Sequence, residues 1–194
     1  MGRPALHTAD SLVDTAVRLF GVGGLRAVTM AAVAREAGAP SGSVYHRFPD
    51  RPALLAQVWL CTTRRFEDDF LAELGPHPDA RRAVAAAVRC VDWCRERPAA
   101  AQVLHAGVAT FSPHLWRAED QAALVAADHR RKRLVARTSR DLAAITGRPP
   151  EDVSFALFDL PLALLGRHLA AGAPPPRRAS EQVQRLAATI LGAD

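Results

Sequence analysis

Apolar residues recur at three- and four-residue spacing along almost the whole chain, and no alternating pattern typical of a strand persists for long. Near the N-terminus this spacing marks one face of a first helix, formed by Leu12, Ala16, Leu19 and Phe20. Thr8 is placed to cap this helix, and the glycines within residues 21–24 are placed to end it. The pattern therefore predicts an all-α chain that begins with an amphipathic helix.

Two shorter helices follow, joined by a turn that contains glycine. Thr29 is placed to cap a helix over residues 30–38, and Gly38 suits the position just past its C-terminal end. Pro40 fits the first position of the next helix, which is predicted to end near Phe48. The turn Gly-Ala-Pro has the length typical of a helix-turn-helix, so the first fifty residues predict three helices in that arrangement.

The predicted helices become long after Asp50, which is placed to cap the first of them. The predicted segments are 50–74, 79–97, 98–111, 115–145, 151–172 with an interruption at Pro161, and 179–192 with Ser180 as the cap. Together with the first three helices they predict about nine helices in total. We expect a helix-turn-helix domain over residues 1–49 and a second helical domain over residues 50–194.

The third predicted helix has one face for packing and one for hydrogen bonding. Val44 and Phe48 stand four residues apart and are predicted to point inward. The remaining positions carry hydrogen-bonding side chains, namely Ser41, Ser43, Tyr45, His46 and Arg47. Gly42 costs this helix about 1 kcal/mol relative to alanine, and close approach of its backbone to a groove wall is a physical reason for a glycine there. A DNA-recognition helix requires this division of faces.

The segment TMAAVAREAGAPSGSVYHRFPDRPALL, residues 29–55, resembles the DNA-binding segment of TetR-family transcriptional regulators. The similarity extends over residues 8–55 and includes the capping hydroxyl, the alanine-rich second helix, Gly38, the Gly-Ser-Val-Tyr-His core and Phe48 in one register. The resemblance implies a three-helix, N-terminal helix-turn-helix domain followed by a helical ligand-binding and dimerisation domain.

The resemblance also implies roles for individual residues. Thr29 matches the residue that holds a phosphate at the N-terminus of the second helix, and Arg51 stands where the family often has a phosphate-binding lysine. The resemblance places seven residues against DNA: Thr29, Ser41, Gly42, Ser43, Tyr45, His46 and Arg51.

Two positions depart from the family pattern. Arg47 replaces a frequent aromatic residue, and Pro52 follows Arg51 where an acidic residue is usual. The alternatives are a mainly packing role for Tyr45 and an exposed position without function for His46.

The apolar segments 155–172 and 183–192 resemble the two C-terminal helices that pair across the dimer in this family. The expected contacts are Phe155, Phe158, Leu162, Leu165, Leu186 and Ile190. Ordinary packing within one chain is the alternative reading of these residues. A dimer is also expected because one short recognition helix reads few bases, whereas two related by a two-fold axis can read half-sites about 34–36 Å apart.

A pocket for a small-molecule effector is expected between the middle helices. The candidate lining residues are Phe66, Phe70, Cys90, Trp93, Cys94, His105, Phe111 and Trp116. Each of them is equally suited to an ordinary helical core, because aromatic residues at helical spacing fill cores by default. The composition favours an apolar effector.

Charge and cysteine content narrow the function classes. The 194-residue chain carries a formal net charge of +5, a modest surplus that permits nucleic acid as a partner. Cys61, Cys90 and Cys94 lack the spacing of a zinc site and are expected to be buried, reduced thiols. No motif of a nucleophilic, metal or phosphate-binding site is present, so we predict no metal, no cofactor and no enzymatic activity.

The sequence also bears on location. The first residues hold no apolar core of signal-peptide length, and no run approaches the roughly 20 apolar residues of a membrane span. We expect a cytoplasmic protein without a membrane partner.

Taken together, these features predict a sequence-specific DNA-binding transcriptional regulator. We expect a homodimeric repressor that binds a near-palindromic site in double-stranded DNA and is released by a small-molecule effector. The alternative is a helical small-molecule-binding protein, or an enzyme that uses His105 or a cysteine, without a DNA-binding role.

Overall fold

In the computed structural model, which describes residues 8–193, the chain folds into ten α-helices, and these residues contain no β-strand. The helices are α1 (Ala9–Ala27), α2 (Met30–Glu36), α3 (Ser41–Arg47), α4 (Arg51–Leu74), α5 (Ala80–Glu96), α6 (Pro98–Ala106), α7 (Ala118–Thr146), α8 (Pro150–Ser154), α9 (Leu160–Ala170) and α10 (Arg177–Leu191). The predicted all-α class is confirmed. Residues 1–7 and 194, at the outer ends of the two predicted domains, lie outside the described residues.

Side-chain caps begin four of the helices. The caps are Thr8, Thr29, Asp50 and Asp79, each of which accepts a hydrogen bond from the backbone N–H three residues later. These bonds are 2.8 to 3.1 Å long and satisfy donors that have no partner within the helix. The predicted caps of α1, α2 and α4 are confirmed.

Helix α1 kinks where the sequence predicts that it ends. Gly23 and Gly24 have non-helical backbone angles, and Gly24 has a φ of 61°, which strongly favours glycine. One further turn follows and brings the helix to Ala27. The glycines therefore redirect the chain towards α2.

The connection between α6 and α7 is more irregular than the sequence predicts. Helix α6 stops at Ala106, because Gly107 adopts a φ of 73°. Two 3₁₀ turns, Val108–Phe111 and Pro113–Leu115, then lead to α7. The prediction of a continuous helix over 98–111 is therefore wrong from Gly107 onward.

The last helix begins earlier than predicted, and Ser180 is not its cap. Helix α10 starts at Arg177, directly after Pro176. Ser180 lies inside the helix and is buried, where its hydroxyl donates to Asp92 Oδ1 at 2.5 Å and accepts from Arg95 Nη1 at 2.8 Å. The hydroxyl thus joins α10 to α5, a tertiary role that a capping pattern does not reveal.

A single π-helical turn, Phe155–Asp159, joins α8 to α9 and raises the count from the expected nine helices to ten. Pro161 lacks a backbone N–H, and its ring crowds the preceding turn. The backbone N–H of Leu160 accordingly bonds the carbonyl of Phe155, five residues earlier. The predicted interruption at Pro161 takes the form of this wider turn.

The buried apolar side chains form two clusters that share α4. The N-terminal core joins α1, α2, α3 and the first part of α4, and includes Leu12, Phe20, Val33, Val44, Phe48, Leu54 and Val58. Phe111 also belongs to it and stacks on Phe20, with ring centroids 5.2 Å apart. The body core takes in the end of α4 and the C-terminal helices, and includes Phe70, Trp93, Leu142, Leu157, Leu165, Val183 and Leu191.

Helices α1 and α6 approach each other closely at a glycine. A Cβ atom added to Gly21 would lie 2.6 Å from Ala99 Cβ and 3.0 Å from Ala99 Cα. No real contact is that short, so this approach depends on a missing side chain on α1 and a small one on α6. The contact ties the N-terminal helices to the body of the protein.

One helical stretch, Pro150–Ala170, is long and apolar enough to cross a membrane when judged by length and composition alone. The sequence analysis expected no run of the length and hydrophobicity of a membrane span, and this stretch is an exception to that expectation. A core helix of a soluble protein passes the same test, and this stretch supplies Leu157 and Leu165 to the body core.

Replacing Gly21 by alanine should destabilise the fold, because the new methyl group has to push α6 away. We expect the free energy of unfolding to fall by about 1–3 kcal/mol, measured by urea denaturation. Gly42→Ala is the matched control, since a Cβ there meets no atom within 4 Å and should raise stability by up to about 1 kcal/mol. Equal stability of Gly21→Ala and the wild type would contradict the close α1–α6 contact.

Candidate nucleic-acid interface

The turn between α2 and α3 is fixed by a glycine in the left-handed conformation. Gly38 has a φ of 62°, and its N–H donates to the carbonyl of Arg35 at 3.2 Å. The N–H of Ala39 donates to the carbonyl of Ala34 at 2.9 Å, which completes a Schellman motif. These bonds set the direction in which α3 leaves α2, and the predicted role of Gly38 is confirmed.

Helix α3 has a buried side and an open side, as predicted from its sequence. Val44 and Phe48 are buried in the N-terminal core. Ser41, Gly42, Tyr45, His46 and Arg47 are exposed, and Ser43 is half-buried. Tyr45 keeps 54% of its surface exposed, which does not fit a mainly packing role. Pro40 precedes the first helical residue rather than occupying it.

Gly42 has no internal reason to be a glycine. A Cβ added there would meet no atom within 4 Å, and its backbone is helical. An alanine would therefore fit the free protein and favour the helix. This leaves an external surface that approaches the backbone closely as the physical reason for a glycine at this place.

Thr29 is exposed and caps α2, with its Oγ1 atom 3.1 Å from the N–H of Ala32. Its own N–H donates to the carbonyl of Ala27 at 3.2 Å. The hydroxyl proton is the donor that Thr29 offers outward, and the phosphate contact of this residue stays a prediction.

Arg51 holds the chain between α1 and α2. Its Nε donates to the carbonyl of Val28 and its Nη2 to the carbonyl of Leu25, both at 2.7 Å. The sequence indicated only a phosphate contact for Arg51, which stays a prediction. A signal of the internal role was present, because a cation in the first turn of a helix opposes the helix dipole and needs acceptors of its own.

Each of the first three helices carries an exposed arginine in its last turn. Arg26 lies in the last turn of α1, Arg35 in α2 and Arg47 at the end of α3. Arg26 and Arg35 were not among the predicted DNA contacts.

The eight residues predicted to line an effector pocket do not form one group. Phe66, Phe70, Cys90, Trp93 and Cys94 lie in or against the body core, Phe111 and Trp116 lie in the N-terminal core, and His105 is exposed on α6. Burial raises the pKa of the Cys90 and Cys94 thiols to about 12, which disfavours the reactive thiolate. The expected buried state of all three cysteines is confirmed.

A cavity in the body is lined by other residues. A cavity of about 220 Å³ lies between α4 and α7, with Trp59, Leu60 and Thr63 on one side and Ala123 and Leu124 on the other. The predicted set shares no residue with its lining. The reason is that large aromatic side chains fill the space around themselves, whereas small residues leave it open.

The residues predicted at a dimer interface divide by exposure. Phe155, Leu162 and Leu186 are exposed, with Leu162 at 61%, and Phe158 and Ile190 are half-buried. Leu165 is only 2% exposed and belongs to the body core of its own chain. Leu165 therefore packs within its own chain, although it stands only three residues after the exposed Leu162.

Replacing Arg51 by methionine should weaken the fold, because the Leu25 and Val28 carbonyls lose a charged donor. We expect the free energy of unfolding to fall by about 1–3 kcal/mol in urea denaturation. Arg47→Met, an exposed change on the neighbouring helix, serves as the control and should leave stability within about 0.5 kcal/mol. The internal role of Arg51 is refuted if both variants unfold like the wild type.

Comparison with known proteins agrees with this geometry. Residues 12–58, which span α1 to the first part of α4, match the family described as bacterial regulatory proteins, tetR family. No curated protein matches the chain with significance.

Solved structures resemble the whole chain. A TetR-like transcriptional regulator from Rhodococcus sp. RHA1 aligns over 100% of both chains with a TM-score of 0.67 and 20% identity. The TetR-family transcriptional regulator PfmR from Thermus thermophilus covers 95% of this chain and 96% of its own, with a TM-score of 0.67 and 18% identity. A tetR-family regulatory protein from Rhodococcus RHA1 covers 94% and 96%, with a TM-score of 0.68 and 20% identity. The chain therefore carries the N-terminal DNA-binding domain of the TetR family and has the fold of TetR-family transcriptional regulators over its described length.

Proposed function

We propose that this protein is a homodimeric repressor that binds a near-palindromic DNA site and leaves it when a small molecule binds the helical body. The observation that carries the proposal is the open side of α3. It presents hydroxyl, imidazole and guanidinium groups around Gly42, a glycine that the free protein does not need.

The open side of α3 suits a major groove in which Ser41, Gly42 and Ser43 lie near base edges. Tyr45 and His46 would hold the sugar-phosphate backbone on either side of them. Thr29 at the start of α2 would hold a further phosphate, and Nη1 of Arg51, which the bonds to Val28 and Leu25 do not use, would hold another. Phosphate contacts position such a helix, whereas base contacts give it sequence specificity.

The exposed apolar residues of the last helices support a dimer. Phe155, Leu162 and Leu186 are large and exposed, and burial against a second copy would remove them from water. A two-fold dimer would also place two copies of α3 about 34–36 Å apart, the spacing of successive major grooves. The same requirement predicts the near-palindromic symmetry of the DNA site.

The contact between Gly21 and Ala99 suggests how the body could control DNA binding. Because α1 rests directly on α6, a small movement of α6 has to displace α1 or open the contact. A ligand that favours one arrangement of the body helices would then shift the population towards a spacing of the two α3 helices that no longer fits DNA.

The remaining parts of the proposal concern organisation and location. We propose residues 1–49 as the DNA-binding domain and residues 50–194 as the effector-binding and dimerisation domain, with α4 packed against both cores. We further propose a cytoplasmic protein that has no membrane partner, needs no cofactor and is not an enzyme.

DNA binding can be tested by selecting bound sequences from a random pool of duplexes. We expect a near-palindromic consensus, with an affinity that falls steeply as salt rises because bound phosphates release counterions. Binding that is indifferent to both sequence and salt would rule out the proposed function and favour a small-molecule-binding protein without a DNA role.

The Gly42→Ala variant should separate stability from DNA binding. We expect an unchanged or higher unfolding midpoint together with DNA affinity at least about tenfold lower, a loss of about 1.4 kcal/mol or more of binding free energy. The physical reason is that the added methyl group is free of clashes in the protein but lies on the surface that approaches DNA. Gel-shift titrations of the selected site measure the affinity, and undiminished binding would remove α3 from the interface.

The dimer can be tested with a charge placed on its proposed face. Leu162→Glu should shift the protein from dimer to monomer in sedimentation velocity, because burial of an unpaired carboxylate is costly. Val125→Glu is the matched control, since Val125 is an exposed residue of α7 with similar surface exposure. A wild-type protein that sediments as a monomer at micromolar concentration would contradict the proposed dimer.

A further inference from the structure

Two polar contacts hold α7 beside α4 and bracket the cavity between them. At one end the side-chain amide of Gln57 donates to Asp120 Oδ1 at 2.8 Å. At the other end Arg131 Nη1 donates to Glu67 Oε1 at 3.2 Å. Ten residues of α4 separate the two contacts, a rise of about 15 Å, and the cavity of about 220 Å³ lies along this length.

The cavity exists because α7 presents small side chains to α4. Ala123 and Ala127 face the space from α7, while Trp59 and Leu60 face it from α4. Two alanines cannot fill the gap that the polar contacts at each end hold open. The middle of the cavity is therefore largely apolar, with Thr63 on its α4 side, and its ends are polar.

Two buried polar groups at this cavity lack the partners that buried groups normally have. Asp120 is 8% exposed, and within residues 8–193 its carboxylate forms no salt bridge and has the Gln57 amide as its hydrogen-bond donor. Thr63 is 9% exposed, and its Oγ1 atom has no hydrogen-bond partner in the same part of the chain. A buried carboxylate without an ion-pair partner is costly, and burial raises the pKa of Asp120 against the opposing effects of the Gln57 amide and of the more distant Arg117 charge.

The arginines of the lining do not supply the missing cation. Arg131 is already paired with Glu67 and Asp128, and Arg64 and Arg130 are exposed. An exposed guanidinium is solvated by water and needs no ligand, whereas the buried carboxylate does. Asp120 therefore determines that the preferred ligand carries a positive charge. The exposed arginines would repel a ligand with several positive charges.

We propose that this cavity binds a small organic monocation, whose ammonium group donates a hydrogen bond to Asp120 and whose apolar part packs against Trp59, Leu60 and Leu124. An aromatic ring and a carboxylate together suit an ammonium group, because both attract positive charge. That such a cation also acts as the effector rests on the proposed function. The ligand class differs from the apolar effector that composition alone favours.

The test compares three probes of one shape and different charge: benzylammonium chloride, benzyl alcohol and sodium benzoate. Each is titrated into the wild-type protein without DNA, at neutral pH, by isothermal titration calorimetry. We expect saturable binding of benzylammonium, at least about tenfold weaker binding of benzyl alcohol and no binding of benzoate. Equal binding of the cation and the alcohol, or preferred binding of benzoate, would overturn the proposal.

Variants assign the site. Asp120→Asn retains an oxygen acceptor for Gln57 but removes the charge, and it should weaken benzylammonium binding by about tenfold or more. Asp141→Asn, an exposed carboxylate on the same helix, should leave binding unchanged. Ala127→Met should abolish binding by filling the cavity. Thermal melts establish that each variant is folded, and unchanged binding in both Asp120→Asn and Ala127→Met would place the cation elsewhere and overturn the assignment.

This experiment separates the cation site from the proposed regulator. If the wild-type protein binds its selected DNA site but does not bind benzylammonium, the cation site alone is overturned. A protein that binds the cation but no DNA would overturn the proposed function and support the site.

Discussion

The N-terminal helices and the body are joined by α4, which contributes buried residues to both hydrophobic cores. The first part of this 24-residue helix buries Leu54, Leu55 and Val58 against α1, α2 and α3, and its far end buries Phe70 and Leu74 in the body. Because an α-helix is stiff, the two cores cannot shift independently along it. A short DNA-binding unit, too small to bury much surface alone, thereby gains the support of the larger body.

The recognition helix shows how this support produces a functional surface. Helix α3 has only seven residues and no side-chain cap, so it would be unstable in isolation. Val44 and Phe48 bury its inner side, and the Gly38 turn sets its direction. Arg51 donates two hydrogen bonds to carbonyl groups of the segment that leads into α2. The outer side is then free to carry groups chosen for contact with a partner rather than for stability.

The site could be predicted from the sequence where the signal is local. The caps at Thr8, Thr29 and Asp50, the left-handed Gly38 and the two sides of α3 each depend on residues within one or two turns of one another. The position of the cavity between α4 and α7 could not be predicted in this way. Large aromatics such as Phe70 and Trp93 were natural candidates and belong to the body core, whereas the cavity between α4 and α7 lies where α7 presents Ala123 and Ala127.

The same distinction explains the individual differences between prediction and structure. Serine is a common helix cap, yet Ser180 forms hydrogen bonds with Asp92 and Arg95 on another helix. Leucine is common at dimer interfaces, yet Leu165 is buried within its own chain. The sequence by itself determined the helical class, the starts of α1, α2 and α4 at their capping residues, the Gly38 turn and the DNA-binding segment. The tertiary structure decided which apolar residues are buried, which carbonyl groups Arg51 binds and where a cavity remains. These outcomes depend on how side chains distant in sequence share one volume, which no local pattern encodes.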